Sequence, residues 1–419
     1  MLPTLGAVRT FTENDVDVVR DLTIDLYQIR QARIAPSAPS LKNRLRSRVF
    51  GALAGHRPDD RSEPLIATNV RSILLFRYDA LGDYVVTTPL IDAIRTMAPN
   101  VAIDVVASSR NVSLLRADPR FRRIVVLHPQ HAFHPSWLRL RRLAQEESYD
   151  AIVAAVFTRM TKAAVLAAMA GRNAKTVTVR HDERAAIYGK VFDIQVPHHT
   201  PEHWACTMER MAQAMLKSDI PAPPLRQSIP LDNVATNHVI DQLSERGIAW
   251  NLRESANVVG YRRSPTIGRK YVVVNVSAYS PNRNWSVHAC TRAISMLAAE
   301  WTDLHFFISG APSAADNVNE IVQQVSRSNV SAWKGTILEL LALIAGSDIV
   351  ISPDTATIHI AAAADVPCVV LFAELIKVAE WYPLGVPFRA ILSDNPESLV
   401  SIPATTVAEM FVDLYTSRA

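Results

Sequence analysis

The chain has 419 residues, enough for roughly two to three domains at about 150 residues each. Apolar residues at 49% and charged residues at 20% exclude a disordered chain, and only 13 glycines exclude collagen and glycine-rich repeats. The formal net charge of +4 permits an anionic partner without demanding one.

Cys206, Cys290 and Cys368 lie far apart with no CxxC spacing, which disfavours a disulfide framework and a cysteine zinc site and fits a reducing compartment. The start of the chain carries acids early and has no long apolar core, so no signal peptide is expected. Charge or proline interrupts every apolar stretch before about 18 residues, so no membrane-spanning helix is expected. The protein is expected to be soluble or to lie on a membrane surface.

In chain order, residues 13–33 read as a helix with Val16, Val19, Leu22, Leu26 and Ile29 on one stripe. A Pro/Ser linker covers 35–40. Residues 41–54 read as a short basic amphipathic helix, with Leu41, Leu45, Val49 and Leu53 between Lys42, Arg44, Arg46 and Arg48. From Arg71 the pattern becomes alternating β and α. Strands are predicted over 73–76, 103–107, 124–127, 151–156 and 176–179, and helices over 84–97, 138–147, 162–169 and 202–216. The proline-rich stretch 221–230 reads as a linker. A second series follows, with strands over 271–276, 305–309, 330–333, 349–352 and 368–372 and helices over 288–300, 315–326, 338–345 and 358–364. Strands separated by helices predict parallel sheets with right-handed crossovers, and two such series predict tandem α/β domains with a ligand cleft between them. The expected division is a helical N-terminal extension over 1–70, a first domain over 71–225 and a second over 226–419.

Three segments have the placement that chemistry needs. Residues 77–83 (RYDALGD) join the first strand to the first helix, where open α/β sheets bind ligands. Gly82 suits a tight turn there. Asp83 would stand at the helix start, either aimed at a ligand or serving only as a cap. Residues 352–363 (SPDTATIHIAAA) pass from strand to helix, a ready anion site. Asp354 can accept ribose hydroxyls and Thr355 can bond phosphate oxygens. The other reading is a capping Asp/Thr pair with His359 packed in the core. In the loop 275–285, Ser277, Ser280 and Arg283 can grip a diphosphate, while Trp285 suits a packing anchor. GxGxxG and GxxxxGK[ST] are both absent, which disfavours a nicotinamide-dependent oxidoreductase and a P-loop NTPase.

Together, R-x-D-x-L-G-D-x-x-x-T-x-P-L-x-x-A-I-R from Arg77 and D-T-x-x-x-H-x-A-A-A-x-x-x-P-x-V-x-L-F from Asp354 resemble glycosyltransferase family 9, the bacterial heptosyltransferases of lipopolysaccharide core synthesis. The resemblance runs from about 71 to 411. It implies the GT-B architecture, two Rossmann-like domains facing a cleft, and inverting transfer from ADP-heptose with no metal or other cofactor. By the same resemblance Asp83 matches the catalytic base, and Asp354, Thr355 and His359 match the donor-side motif. Arg283 matches a basic residue on the donor diphosphate, and Ser277 matches the start of a hydroxyl-bearing phosphate loop. Ala356 stands where the family usually carries Gly. The acid expected after the second strand of the donor domain is displaced within 310–316. Another nucleotide sugar, or a non-catalytic nucleotide-sugar binding protein of the same fold, therefore stays open.

The implied partners are a nucleotide-sugar donor and an anionic glycan or glycolipid acceptor, in the cytoplasm. Eight arginines between 110 and 142, against the single acid Asp118, read as a solvated face or as an acceptor surface. No aromatic interleaving or binding motif points to nucleic acid. The helix over 41–54 either packs on protein or touches the anionic inner-membrane surface. His128, His131 and His134, with His198, His199 and His203, sit in proline-containing loops and read as loop or acceptor-side histidines rather than a metal site.

Overall fold

The computed structural model describes residues 8–31, 61–127, 135–157, 161–171, 173–182, 185–252, 258–259 and 268–417. The basic segment 41–54 and His128, His131 and His134 lie outside the described residues. Two compact units divide the chain: residues 29–226, and residues 1–28 together with 227–419.

The strands in chain order are β1 (Arg9–Thr12), β2 (Leu65–Ile66), β3 (Ser72–Phe76), β4 (Ala102–Ala107), β5 (Phe121–Val126), β6 (Ala151–Ala154), β7 (Lys175–Val179), β8 (Ile194–Val196) and β9 (Leu216–Lys217). They continue as β10 (Ile229–Pro230), β11 (Val258–Val259), β12 (Lys270–Asn275), β13 (Leu304–Ser309), β14 (Val330–Ala332), β15 (Ile349–Pro353), β16 (Cys368–Phe372) and β17 (Phe388–Leu392).

In the unit of residues 29–226, a six-stranded sheet runs β5-β4-β3-β6-β7-β8, parallel throughout. All residues of β3 and β6 are buried, as continuous apolar runs covered on both faces should be. The helix Leu81–Met97 packs against Trp204–Met215. Its interior Pro89 removes the N–H that would have bonded the carbonyl of Val85, and the Thr88 hydroxyl donates to that carbonyl instead at 2.7 Å.

The other unit holds a seven-stranded sheet in the order β1-β17-β16-β15-β12-β13-β14. All its pairings are parallel except that of β1 with β17. The expected extension over 1–70 is therefore corrected. Residues 9–28 belong to the C-terminal unit, and the helix begins at Val16, after a strand that the sequence pattern did not suggest. Glu13 fixes this arrangement by accepting from the Phe388 N–H at 3.1 Å and from Arg389 Nη1 at 3.0 Å.

Strand order reverses between β3 and β6 in one sheet and between β12 and β15 in the other. At such switch points the following loops diverge to opposite faces and leave room for a ligand. The segment 77–83 follows β3. The segments 276–286 and 354–355 follow β12 and β15. Among the described residues no helix is long and apolar enough to cross a membrane.

On β13, His305 is buried beside Phe307 with Nε2 2.8 Å from Ser331 Oγ. Burial, aided by Arg269 and Arg246, pushes its pKa down to about 4. The unfolded chain binds this proton from about pH 6.5, so unfolding takes up a proton between those values. The contribution is intact above about pH 6.5 and is lost as pH falls toward 4. Wild type should lose about 2 kcal/mol of stability between pH 7 and pH 5 through this group. Denaturant melts at both pH values should show a smaller drop for His305→Gln; an equal drop in both proteins refutes the assignment.

Candidate functional site

At the end of β3 the backbone of Arg77 is pinned on both sides. Its N–H donates to the Val106 carbonyl at 3.0 Å, and its carbonyl accepts from Asn111 Nδ2 at 2.8 Å. The side chain is fully buried. Nη1 donates to the Ala155 carbonyl just beyond β6, across the switch point, and Cζ lies 4.3 Å from the Phe157 ring centroid. Nη2 stands 3.2 Å from Asp83 Oδ2 and 3.4 Å from Asp79 Oδ2.

Asp83 occupies the third position of the helix Leu81–Met97, where Oδ2 accepts from the Ala80 N–H at 3.2 Å. Ala80 has no side chain to return the bond, so this is half a capping box. The cap reading of Asp83 is thus correct for one oxygen. Oδ1 has no hydrogen bond or ion pair among the described residues, and the side chain is 28% exposed. Desolvation, with the like charge of Asp83, raises the Asp79 carboxyl above its ordinary value, against the pull of Arg77, Lys162 and Arg110. Burial in turn lowers Lys162, which lies over the rings of Tyr78 and Trp137. The expectation for Gly82 is corrected. It is a buried residue of the helix's first turn without a positive φ.

In the other unit, Asn275 ends β12 and ties three segments together. Its Nδ2 donates to the Ser277 carbonyl at 2.9 Å, Ser352 Oγ at 3.0 Å and Thr355 Oγ1 at 3.2 Å. Its Oδ1 accepts from the N–H and hydroxyl of Ser277, both at 3.3 Å. Ser277 Oγ also accepts from the Ala311 N–H at 2.7 Å, which fastens the turn at Gly310. Ser277 is buried, and its hydroxyl takes part in both of these contacts. Asp316 is exposed in the first turn of the next helix.

Ser280 is half-buried and opens a one-turn helix, its carbonyl accepting from the Arg283 N–H at 2.9 Å. Arg283 Nη2 pairs with Glu374, each side chain about one-third exposed. Thr355 caps the helix Ala356–Ala363 through the Thr357 N–H at 3.3 Å, and Asp354 precedes it half-buried. The start of this helix lies beside the loop after β12 through the Asn275 bridge. His359 is buried with its ring edge-on to Trp381, as in the core-packing reading. Trp285 is a packing anchor in the core of this unit.

The sequence did not single out Arg77, Asn275 or Glu374. The first two carried one signal, a polar side chain at the C-terminal end of an apolar strand. Of the eight arginines between 110 and 142, Arg120 is buried on Asp118 and Asp92, and Arg122 and Arg123 pair with Glu147. Arg110, Arg116, Arg139, Arg141 and Arg142 are exposed. His198 stacks on Trp204, and His203 accepts from the Ala205 N–H as a helix cap. Among the described residues no group of three His, Cys, Asp or Glu side chains is arranged to hold a metal.

The family model for glycosyltransferase family 9 (heptosyltransferase) matches residues 137–399. Lipopolysaccharide heptosyltransferase 3 of Escherichia coli is 22% identical over 299 residues, covering 70% of this chain and 80% of that protein. A glycosyltransferase family 9 structure from Veillonella parvula superposes with a TM-score of 0.66 at 15% identity, covering 84% of this chain and 99% of that one. The structure of Escherichia coli ADP-heptose lipopolysaccharide heptosyltransferase II gives 0.62 at 19% identity, covering 83% and 99%.

Proposed function

The chain belongs to glycosyltransferase family 9, the heptosyltransferases, and from that premise we propose that it transfers heptose from ADP-heptose to a lipopolysaccharide-core acceptor with inversion. The unit of residues 29–226 would take the acceptor, and the other unit the donor. In such a transfer an acceptor hydroxyl attacks the anomeric carbon while the nucleoside diphosphate leaves from the opposite face, through an oxocarbenium-like transition state. The hydroxyl must lose a proton, and the leaving group gains charge.

The observation that carries this reading is the state of the Asp83 carboxylate: Oδ2 is held by Arg77 and Ala80, and Oδ1 is open to accept a proton. On the donor side, Arg283 and the N–H groups at the start of Ala356–Ala363 supply positive potential for the departing diphosphate without calling on a metal. Ser280, Asp354 and Thr355 border that position, and Asp354 would accept ribose hydroxyls. Ser277 and Asn275 hold the loops in place. His359 supports the helix from beneath. An acceptor of this class lies at the cytoplasmic face of the inner membrane, where residues 41–54 would contact anionic lipid.

The reading is tested by thermal shift with a panel of nucleotide sugars, because a ligand that binds the folded state raises its stability by mass action. ADP-heptose should give the largest shift. Ala356, in place of the family's Gly, and Glu374, paired with Arg283, favour another nucleotide sugar as the second reading, and a larger shift with a UDP sugar would select it.

Arg283→Ala should weaken nucleoside diphosphate binding by about 1.5–3 kcal/mol, the range for a hydrogen bond to a charged group. Because Glu374 competes for the same guanidinium, Glu374→Gln should tighten it. Calorimetric titration with ADP reads both, and unchanged affinity in both variants would remove Arg283 from the donor site.

A further inference from the structure

We infer that Arg77 and Asp79 are positioning residues for Asp83: Arg77 holds Oδ2 so that Oδ1 is left for the acceptor, and Asp79 shares the same guanidinium nitrogen with Asp83. The inference rests on the reading of Asp83 as the base.

Nothing about Arg77 suggests a surface ion pair. Its backbone is bonded on both sides, its ring contact and its bond to Ala155 fix the guanidinium plane, and it is fully buried. Nε and Nη2 make no aligned hydrogen bond among the described residues, so the two carboxylates compensate the buried charge by proximity. A cation this close to a general base has two opposed effects. It orients the carboxylate, and it also stabilises the ionised form and weakens its hold on a proton. A second carboxylate at nearly the same distance divides that effect. Among the described residues Asp79 is in position to do so, at 3.4 Å from Nη2 against 3.2 Å for Asp83.

Several elements bring charged groups to Asp79. They are Arg77 at the end of β3, Asp83 on Leu81–Met97, Lys162 on Thr161–Ala170 and Arg110 after β4, with the phenol of Tyr78 alongside. Lys162 and Arg110 favour the ionised form of Asp79.

The test reads Asp83 directly, apart from turnover. Full-length protein carrying 13Cγ-labelled aspartate is titrated by NMR, with the Asp83 signal identified by its loss in Asp83→Asn. In Asp79→Asn the whole guanidinium charge falls on Asp83, and its midpoint should move down by about one pH unit or more. Asp79→Glu should restore it in part. A midpoint that stays put in a folded Asp79→Asn protein overturns the inference, whatever Asp83→Asn does to turnover. Conversely, full turnover by Asp83→Asn defeats the base reading while leaving the titration result standing.

Discussion

Asp83→Asn is expected to lower sugar transfer by about 10²- to 10⁴-fold, the usual worth of a general base, and to leave nucleoside diphosphate affinity unchanged. The amide has nearly the same shape and can still accept from the Ala80 N–H, so the helix start is kept. Arg77 retains Asp79 at 3.4 Å, so its buried charge is not stranded. What is lost is the ability of the second oxygen to take a proton. ADP release measured with donor and acceptor, beside ADP titration of the same preparation, separates the two effects. Undiminished turnover would show that another group takes the proton. Weakened ADP binding with normal turnover at saturation would show that Asp83 acts on the donor.

A second large effect is expected at Asn275. Truncation to alanine removes the amide that bridges Ser277, Ser352 and Thr355 and strands several buried polar atoms. Each stranded group costs about 1–3 kcal/mol, and local rearrangement recovers part of the sum. A loss of about 3–5 kcal/mol in denaturant unfolding of this unit is therefore expected. ADP affinity should fall as well, because the loop after β12 and the start of Ala356–Ala363 lose their common anchor. Asn275→Ala with normal stability and normal ADP binding would mean that the bridge holds nothing that either property depends on.

The two α/β series were legible because buried parallel strands are written as short apolar runs between amphipathic helices. β3, β12, β15 and β16 stand where the sequence put them, to within a residue or two. β1 was not legible. Its four residues, RTFT, carry one buried apolar side chain, and its strand conformation comes from pairing with β17. Short helices such as Val112–Ala117 and Leu375–Trp381 show too few turns for a period to emerge. The site follows the same division. Asp83 with its loop, and Asp354 with Thr355, are contiguous segments that sequence displays whole. The ion pair of Arg283 and Glu374 spans 91 positions, and the bridge from Asn275 to Thr355 spans 80. Contacts of that kind exist only once the sheet has set the strand order. The turn role expected of Gly82 failed for a related reason: a residue's type shows what it can do, and its place in the helix decides what it does.

The pairing of β1 with β17 has a consequence for how the protein is made. Glu13 bonds the backbone of Phe388, 375 positions later. At about 5–20 residues per second, the ribosome delivers that partner roughly 20–75 s after the strand that needs it. Throughout that interval residues 9–12 have no strand to pair with, while the six-stranded sheet is synthesised between the two halves of its neighbour. When β17 emerges it is an edge strand of five buried residues, a template for any extended chain nearby. Residues 9–12 are the chain's own occupant for that edge, made earlier on the same polypeptide. A nascent chain that has lost them would offer β17 to its neighbours on the polysome, and the loss would appear as insoluble product during expression even where the catalytic residues are untouched.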